Sequence, residues 1–306
     1  MPLLPRALAL SGREKVGLPR PGGDQTAGIV LLLAAILTFT LMDATAKYLT
    51  QFYHPVQVVW ARFAGNIVLV ALVLGPRLAA TMRSRQPGMQ VARALTQVAS
   101  VVLFFTSIQF IGLAEATAIM DLNPVLITLG AALFLGESIG PRRIAGIAVA
   151  MIGAMLIIKP GAGVFQPAAL LPLIGAFTYA AGALLTRVVR FDSTATSVLW
   201  SAMVGTVLSS LAVPFFWIMP DAAHLWAFVI IGILGAVSQA MLIRAFSLAE
   251  AGAIAPFGYT GLIWAGLWGW LLFGQIPDGF SLIGAAIIII AGLYVWSREA
   301  RMARDG

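Results

Sequence analysis

The sequence predicts an all-α polytopic membrane protein of ten transmembrane helices, built as two inverted five-helix repeats. Three observations carry that prediction. The chain is 60% hydrophobic and only 10% charged, where soluble domains average about 25% charged, so most of its surface must meet lipid. Ten apolar runs, each near the ~20 residues that a spanning helix needs, are separated by short breaks. The chain also resembles itself at a shift of about 135 to 140 residues.

Taken in order, the spans fall near 27–51, 56–75, 91–111, 117–136, 143–158, 167–187, 196–217, 225–246, 253–273 and 280–297. Turn residues mark the breaks: His54-Pro55, Gly75-Pro76, Gly140-Pro141, Lys159-Pro160-Gly161, Pro220-Asp221 and Pro277-Asp278-Gly279. Helices are expected rather than a β-barrel, because the runs lack two-residue alternation and open sheet edges do not survive in hydrocarbon. The first run continues from Ala27 to about Thr50 and contains Asp43 and Lys47, which is too long and too charged for a cleaved signal. It is read as a retained helix after a basic tail. The organisation is therefore a cytoplasmic tail over 1–26, repeats over 27–158 and 167–297, and a second tail over 298–306.

Orientation follows from the basic residues. With the N-terminus in the cytoplasm, 16 of the 19 Lys and Arg residues collect on that side, among them Arg83, Arg85, Arg93, Arg142, Arg143, Arg187, Arg190, Arg244 and Arg298. Only Lys159 falls outside, while Lys47 and Arg62 lie within spans. The positive-inside rule then puts both termini in the cytoplasm of a bacterial-type inner membrane.

Several function classes drop out. The net charge of +7 and pI near 10.4 sit in short clusters without interleaved aromatics, so they read as topology signals and not as a nucleic-acid surface. Without cysteine there is no disulfide or thiolate metal site, and the two histidines, His54 and His224, fall in loops expected outside. No loop of the G-x-x-x-x-G-K-[ST] type is present to hold ATP phosphates, so any solute movement would have to draw on a gradient. No cofactor is expected. An intramembrane enzyme would need a nucleophile with its base, or a metal cage, at depth.

The self-match recurs in one order. QVVWARFAG lies over SVLWSAMVG, so that Val58, Trp60 and Gly65 match Val198, Trp200 and Gly205. Phe39-Thr40 lies over Phe177-Thr178, GLAEATAI over SLAEAGAI with Glu115 over Glu250, and Gly146 over Gly284. Five spans per half is an odd number, so the halves run oppositely through the bilayer, with a site expected near midplane between them.

Two five-span halves, each with an alanine-rich junction of its third and fourth spans, end in LFLGES at 133–138 and LLFGQI at 271–276. In this the chain resembles the EamA family of the drug/metabolite transporter superfamily, over about residues 27–298. Asp43-x-x-x-Lys47-Tyr48-Leu49, His54-Pro55 with Gln57, Arg62-Phe63, and RAFSLAEAGAIAPFGY at 244–259 are similar to a branch with S-adenosylmethionine and riboflavin permeases. The resemblance implies a secondary or facilitative transporter of a small organic metabolite. An amino-acid or drug exporter is the alternative within the family, and an intramembrane enzyme or receptor the remote one. Gln275 stands where the second-half pattern has Glu.

Ionisable residues inside spans are the leading functional candidates, because their burial is costly unless they are paired or used. Asp43 and Lys47 share a helix face, as do Arg62 and Asn66. Asp43 lies ~12 Å and Arg62 ~9 Å inside the outer ends of their helices, with Asp121 and Asn123 at comparable depth. The cluster reads either as a pin between spans 1, 2 and 4 or as a substrate or gating site, with proton coupling through Asp43 or Asp121 as a further reading. Pro124 and Pro256 break the backbone of spans 4 and 9, as a kink or beside a cavity. Tyr259 and Trp264 complete the set, Trp264 standing ~16 Å from the inner end of span 9, where its ring packs or stacks on a planar substrate. Gly146, Ala150, Gly153, Gly284 and Gly292 read as helix-packing positions.

Overall fold

A computed structural model describes residues 25–135, 140–159, 167–189, 192–249 and 255–305. Most of the N-terminal tail, Gly136-Glu137-Ser138, Pro160-Gly161, Arg190 and Glu250 lie outside the described residues. Among the described residues every regular element is a helix. In chain order these are α1 (Gln25–Leu49), α2 (Pro55–Leu74), α3 (Leu78–Thr81), α4 (Pro87–Phe110), α5 (Leu113–Met120) and α6 (Asn123–Leu135). There follow α7 (Pro141–Ile158), α8 (Leu170–Val188), α9 (Thr194–Ala212), α10 (Leu225–Leu248), α11 (Thr260–Phe273) and α12 (Gly279–Asp305). Eight stretches among them are long and apolar enough to cross a membrane, and a shorter apolar helix runs over Ile144–Ile158. The chain is a multi-pass membrane protein.

The helix ends follow local chemistry. Proline opens α2, α4 and α7 at a position whose N–H has no intrahelical acceptor. Before α2, His54 accepts from the Val56 N–H at 3.3 Å, and burial lowers the pKa of its imidazole. Gly274, at φ 63°, ends α11 in a left-handed turn. There the Gln275 N–H donates to the Gly269 carbonyl at 2.9 Å and the Gly274 N–H to Trp270 at 3.0 Å. Asp278 caps α12 by accepting from the Ser281 N–H at 2.8 Å and pairs with Lys159 at the end of α7.

Two predicted spans are interrupted. The fourth is split into α5 and α6, with Asp121 and Leu122 between them and Pro124 at the second position of α6. Pro124 has no N–H for the Met120 carbonyl, so the α5 ladder cannot run on. The ninth is a 3-10 turn over Ala255–Tyr259, which contains Pro256, followed by the 14 residues of α11. From Arg298 onward the chain continues the last helix, because α12 runs to Asp305. Its last residues are Glu, Ala, Arg and Met, strong helix formers with no breaker before Gly306.

The main packing pairs are α1 with α10, α4 with α8, and α7 with α12. Around them α2 lies on α9 and α10, α4 on α9, α1 on α11, α6 on α8, and α5 on α11. Small residues set the closest approaches. Gly65 of α2 meets Gly232 of α10 backbone to backbone, and a Cβ on Gly153 of α7 would stand 2.8 Å from the Gly284 carbonyl of α12. Lipid is the natural solvent for what remains outside: Leu72, Val73, Phe134, Phe215 and Met219 are among the most exposed side chains.

Candidate functional site

Asp43 projects from α1 and Arg62 from α2, and each is the opposite charge acting on the other. They do not close to ion-pair distance. The Arg62 guanidinium instead lies over aromatic faces, 5.5 Å from the Phe105 ring and 5.8 Å from that of Phe63, a placement that partly compensates a buried cation. One turn along α2, Asn66 holds its Oδ1 buried with no protein partner.

The α5–α6 break supplies the second group. Asp121 Oδ2 and Asn123 Oδ1 are both buried without a partner, and so is the Tyr259 hydroxyl from the turn that opens α11. Asp121 is the charge that acts on Tyr259, whose ring tip sits where a side chain on Gly292 of α12 would stand. Leaving such an atom unpaired costs about 1–3 kcal/mol, and folded proteins retain few of them. Four of the predicted site residues carry one each. These groups come from α2, the α5–α6 break and the start of α11.

Lys47 goes elsewhere. Rather than pairing with Asp43 one turn earlier, its ammonium donates to the Ile111 carbonyl at 2.7 Å and to the Ile108 carbonyl. It closes the C-terminus of α4, where a cation complements the helix dipole, and also lies 5.6 Å from the Phe273 ring. Trp264 stacks on Trp268 with ring centroids 6.5 Å apart, and Trp268 Nε1 donates to Thr40 Oγ1 of α1 at 3.2 Å. Gln275 accepts from the Leu113 N–H at 3.4 Å. Glu115 is half-buried and lines a mostly apolar crevice of 330 Å³ with Ala118, Gly266 and Leu282.

Sequence reasoning missed the polar face of α4. Arg93, counted among the inner charges, is 8% exposed; it donates to Ser201 Oγ at 2.7 Å and to the Ser197 carbonyl. With Gln97 and Tyr179 it lines a cavity of 270 Å³ between α4 and α8. The signal was present in the spacing of Gln90, Arg93 and Gln97, which share one helix face. Below them Asp192 accepts from Gln90 Nε2 and the Arg85 N–H, both at 2.9 Å, and from Ser84. Although burial works against it, these hydrogen bonds hold its carboxyl below the ordinary carboxylate range. At the other end, Tyr53 stands 2.8 Å from His224 Nδ1 and accepts from the Asp221 N–H. Among the described residues no cluster of metal-ligating side chains occurs.

The profile of the EamA-like transporter family matches residues 26–159 and again 166–297. The chain belongs to that family. As an EamA-like transporter it is a carrier of small metabolites rather than an enzyme, and its relatives are named accordingly. It is 31% identical over 283 residues to a riboflavin transporter of Rhizobium johnstonii, covering 90% of this chain and 93% of the relative. A pseudopaline exporter of Pseudomonas aeruginosa is 29% identical, over 86% of this chain and 94% of the relative. An S-adenosylmethionine uptake transporter of Rickettsia bellii is 28% identical, over 90% and 96%. One solved crystal structure superimposes with a TM-score of 0.63 at 19% identity, covering 90% of this chain and 99% of that one. It shares the fold with this transporter.

Proposed function

We propose that this EamA-like transporter moves a small organic metabolite of the S-adenosylmethionine or riboflavin kind inward across a bacterial-type inner membrane, as a secondary or facilitative carrier. The observation that carries this reading is the set of unpartnered polar atoms on Asn66, Asp121, Asn123 and Tyr259. Asn66 stands one turn along α2 from Arg62, whereas Asp121, Asn123 and Tyr259 come from the α5–α6 break and the turn that opens α11. Groups of this kind offer hydrogen bonds to a passing solute without first breaking protein contacts.

The architecture proposed is ten spans in two inverted five-helix repeats, with both termini cytoplasmic. The packing pattern supports it: exchanging the halves turns α1–α10 into α8–α4, α2–α10 into α9–α4, and α1–α11 into α8–α6, while α2–α9 and α7–α12 map onto themselves. Each of these pairs is in contact. Alternating access then follows by rocking one half against the other around a shared site.

Asp43 and Asp121 are the proton-coupling candidates, and Trp264 the stacking surface for a planar ring. The export reading is favoured by one observation only, the similarity to a pseudopaline exporter. Purified protein in proteoliposomes tests the proposal directly. Riboflavin or S-adenosylmethionine should enter faster than into empty liposomes, and an inside-alkaline pH gradient should accelerate entry if a carboxylate carries a proton. Equal flux with and without protein, for both compounds, defeats the substrate assignment.

A further inference from the structure

We propose that the inner half of the bundle contains a second polar subsite, formed by Arg93, Gln97 and Tyr179, that receives the zwitterionic α-amino-acid end of a transported molecule. The inference rests on the transporter reading and extends it by naming the chemistry at one end of the path.

Arg93 lies ~9 Å along α4 from its inner end. Its Nε donates to Gln90 Oε1 at 3.2 Å, and its Nη2 to Ser201 Oγ and the Ser197 carbonyl. All three acceptors are neutral. Among the described residues no carboxylate lies within ion-pair distance of Arg93, and no acceptor meets its Nη1. One turn further along the same face, Gln97 holds Oε1 buried and without a donor. Both side chains line the 270 Å³ cavity against α8.

Tyr179 is 44% exposed, yet it belongs to the face of α8 that meets α4. Gly175, one turn before it, approaches the Ser100 carbonyl, and Gly182, one turn after it, approaches Thr96. Its ring therefore borders the cavity.

A buried guanidinium without a counter-ion calls for an anion, and an orphan amide carbonyl calls for a donor. An α-amino acid presents both on one carbon, a carboxylate for Arg93 Nη1 and an ammonium for Gln97 Oε1. A neutral imide or polyol would leave the guanidinium uncompensated. A phosphate would turn its oxygens towards the lone pairs of Gln97. The cavity is at the small end for a ligand pocket, ~300–1,000 Å³, so it suits the amino-acid end alone. The rest of the molecule extends toward Asp121, because Gly175 packs against Met120, the residue before it.

Equilibrium binding to the full chain in nanodiscs tests this, with S-adenosylmethionine, with 5′-methylthioadenosine, which lacks the amino-acid end, and with riboflavin. Wild type should bind S-adenosylmethionine ~10-fold or more tighter than 5′-methylthioadenosine, as one charge-assisted pair supplies. Arg93→Gln should erase that preference. Arg93→Gln also removes bonds to α9, so Gln97→Leu, which breaks no protein hydrogen bond, carries the test if the first variant does not fold; it should cut the preference and leave 5′-methylthioadenosine affinity unchanged. Equal binding of the two nucleosides by wild type, no binding of S-adenosylmethionine, or a preference that survives in Gln97→Leu and in any folded Arg93→Gln overturns the subsite. Riboflavin flux without S-adenosylmethionine binding sinks the subsite and leaves the transporter reading standing. The expected preference without flux of either compound does the reverse.

Discussion

Lys47 and Arg62 stand on consecutive helices, and what each cation touches differs in kind. Lys47 gives its protons to backbone carbonyls at the end of α4, so Lys47→Met should lower stability while the folded fraction still transports. Thermal unfolding in detergent beside flux per folded molecule would show it, and normal stability with lost flux would contradict it. Arg62 has only a distant carboxylate and two aromatic rings. Arg62→Ala should lower the unfolding temperature, because it removes the cation that acts on the buried Asp43 carboxyl. The double exchange Asp43→Arg with Arg62→Asp should recover part of that, whereas strictly additive losses would mean that the two charges do not couple. If a planar substrate stacks on Trp264, Trp264→Phe should keep most of the affinity and Trp264→Leu should lose ~1 kcal/mol or more, read by titration of binding. Unchanged affinity in Trp264→Leu would make the ring a packing group.

At the level of elements, proline spacing and capping residues were legible because they act within a turn or two of themselves. Pro124 and Pro256 each mark a place where the chain departs from a continuous α-helix. The true partner of Lys47 was not legible. A donor's choice between a carboxylate one turn away and a carbonyl 61 residues distant depends on how α1 and α4 cross, which no local pattern states. Asp278 illustrates an element held by charge. The Lys159 ammonium first, then the Ser281 N–H, pull its carboxyl down from 3.8 to about 2. With a folded pKa below the unfolded one, its stabilisation is complete above the ordinary carboxylate range and disappears as pH falls through about 2. The site is exposed, so the effect is small. Asp278→Asn should keep the cap and lose the pair, while Asp278→Ala should lose both and unfold at a lower temperature, with the difference between wild type and Asn closing near pH 2. A constant difference down to that pH would exclude the ion pair.

For the whole molecule, hydropathy carried most of the helical fold, since lipid forces long apolar runs, while the arginine distribution bears on orientation, which is a proposal. The polar face of α4 escaped notice because Arg93 satisfied the charge-sorting pattern equally well from a loop or from inside the bundle. Orientation is open to a clean experiment in a chain without native cysteine. Single cysteines at Arg83 and Ala223, both exposed, should differ: an impermeant maleimide added outside should label Ala223→Cys only. Labelling of Arg83→Cys from outside would invert the proposed topology. The backbone contact of Gly153 with Gly284 has its own bearing on measurement. Where two helices touch through backbone, with no intervening side chains to slide, their separation is set by covalent geometry, and rocking halves must turn about such a seam. Probes attached near the outer edges of α7 and α12 should then report one distance under every gradient and ligand. Pairs across α1–α9 or α8–α2, each with one helix from either half, would lengthen and shorten, giving the protein an internal ruler against which its own motion can be scaled.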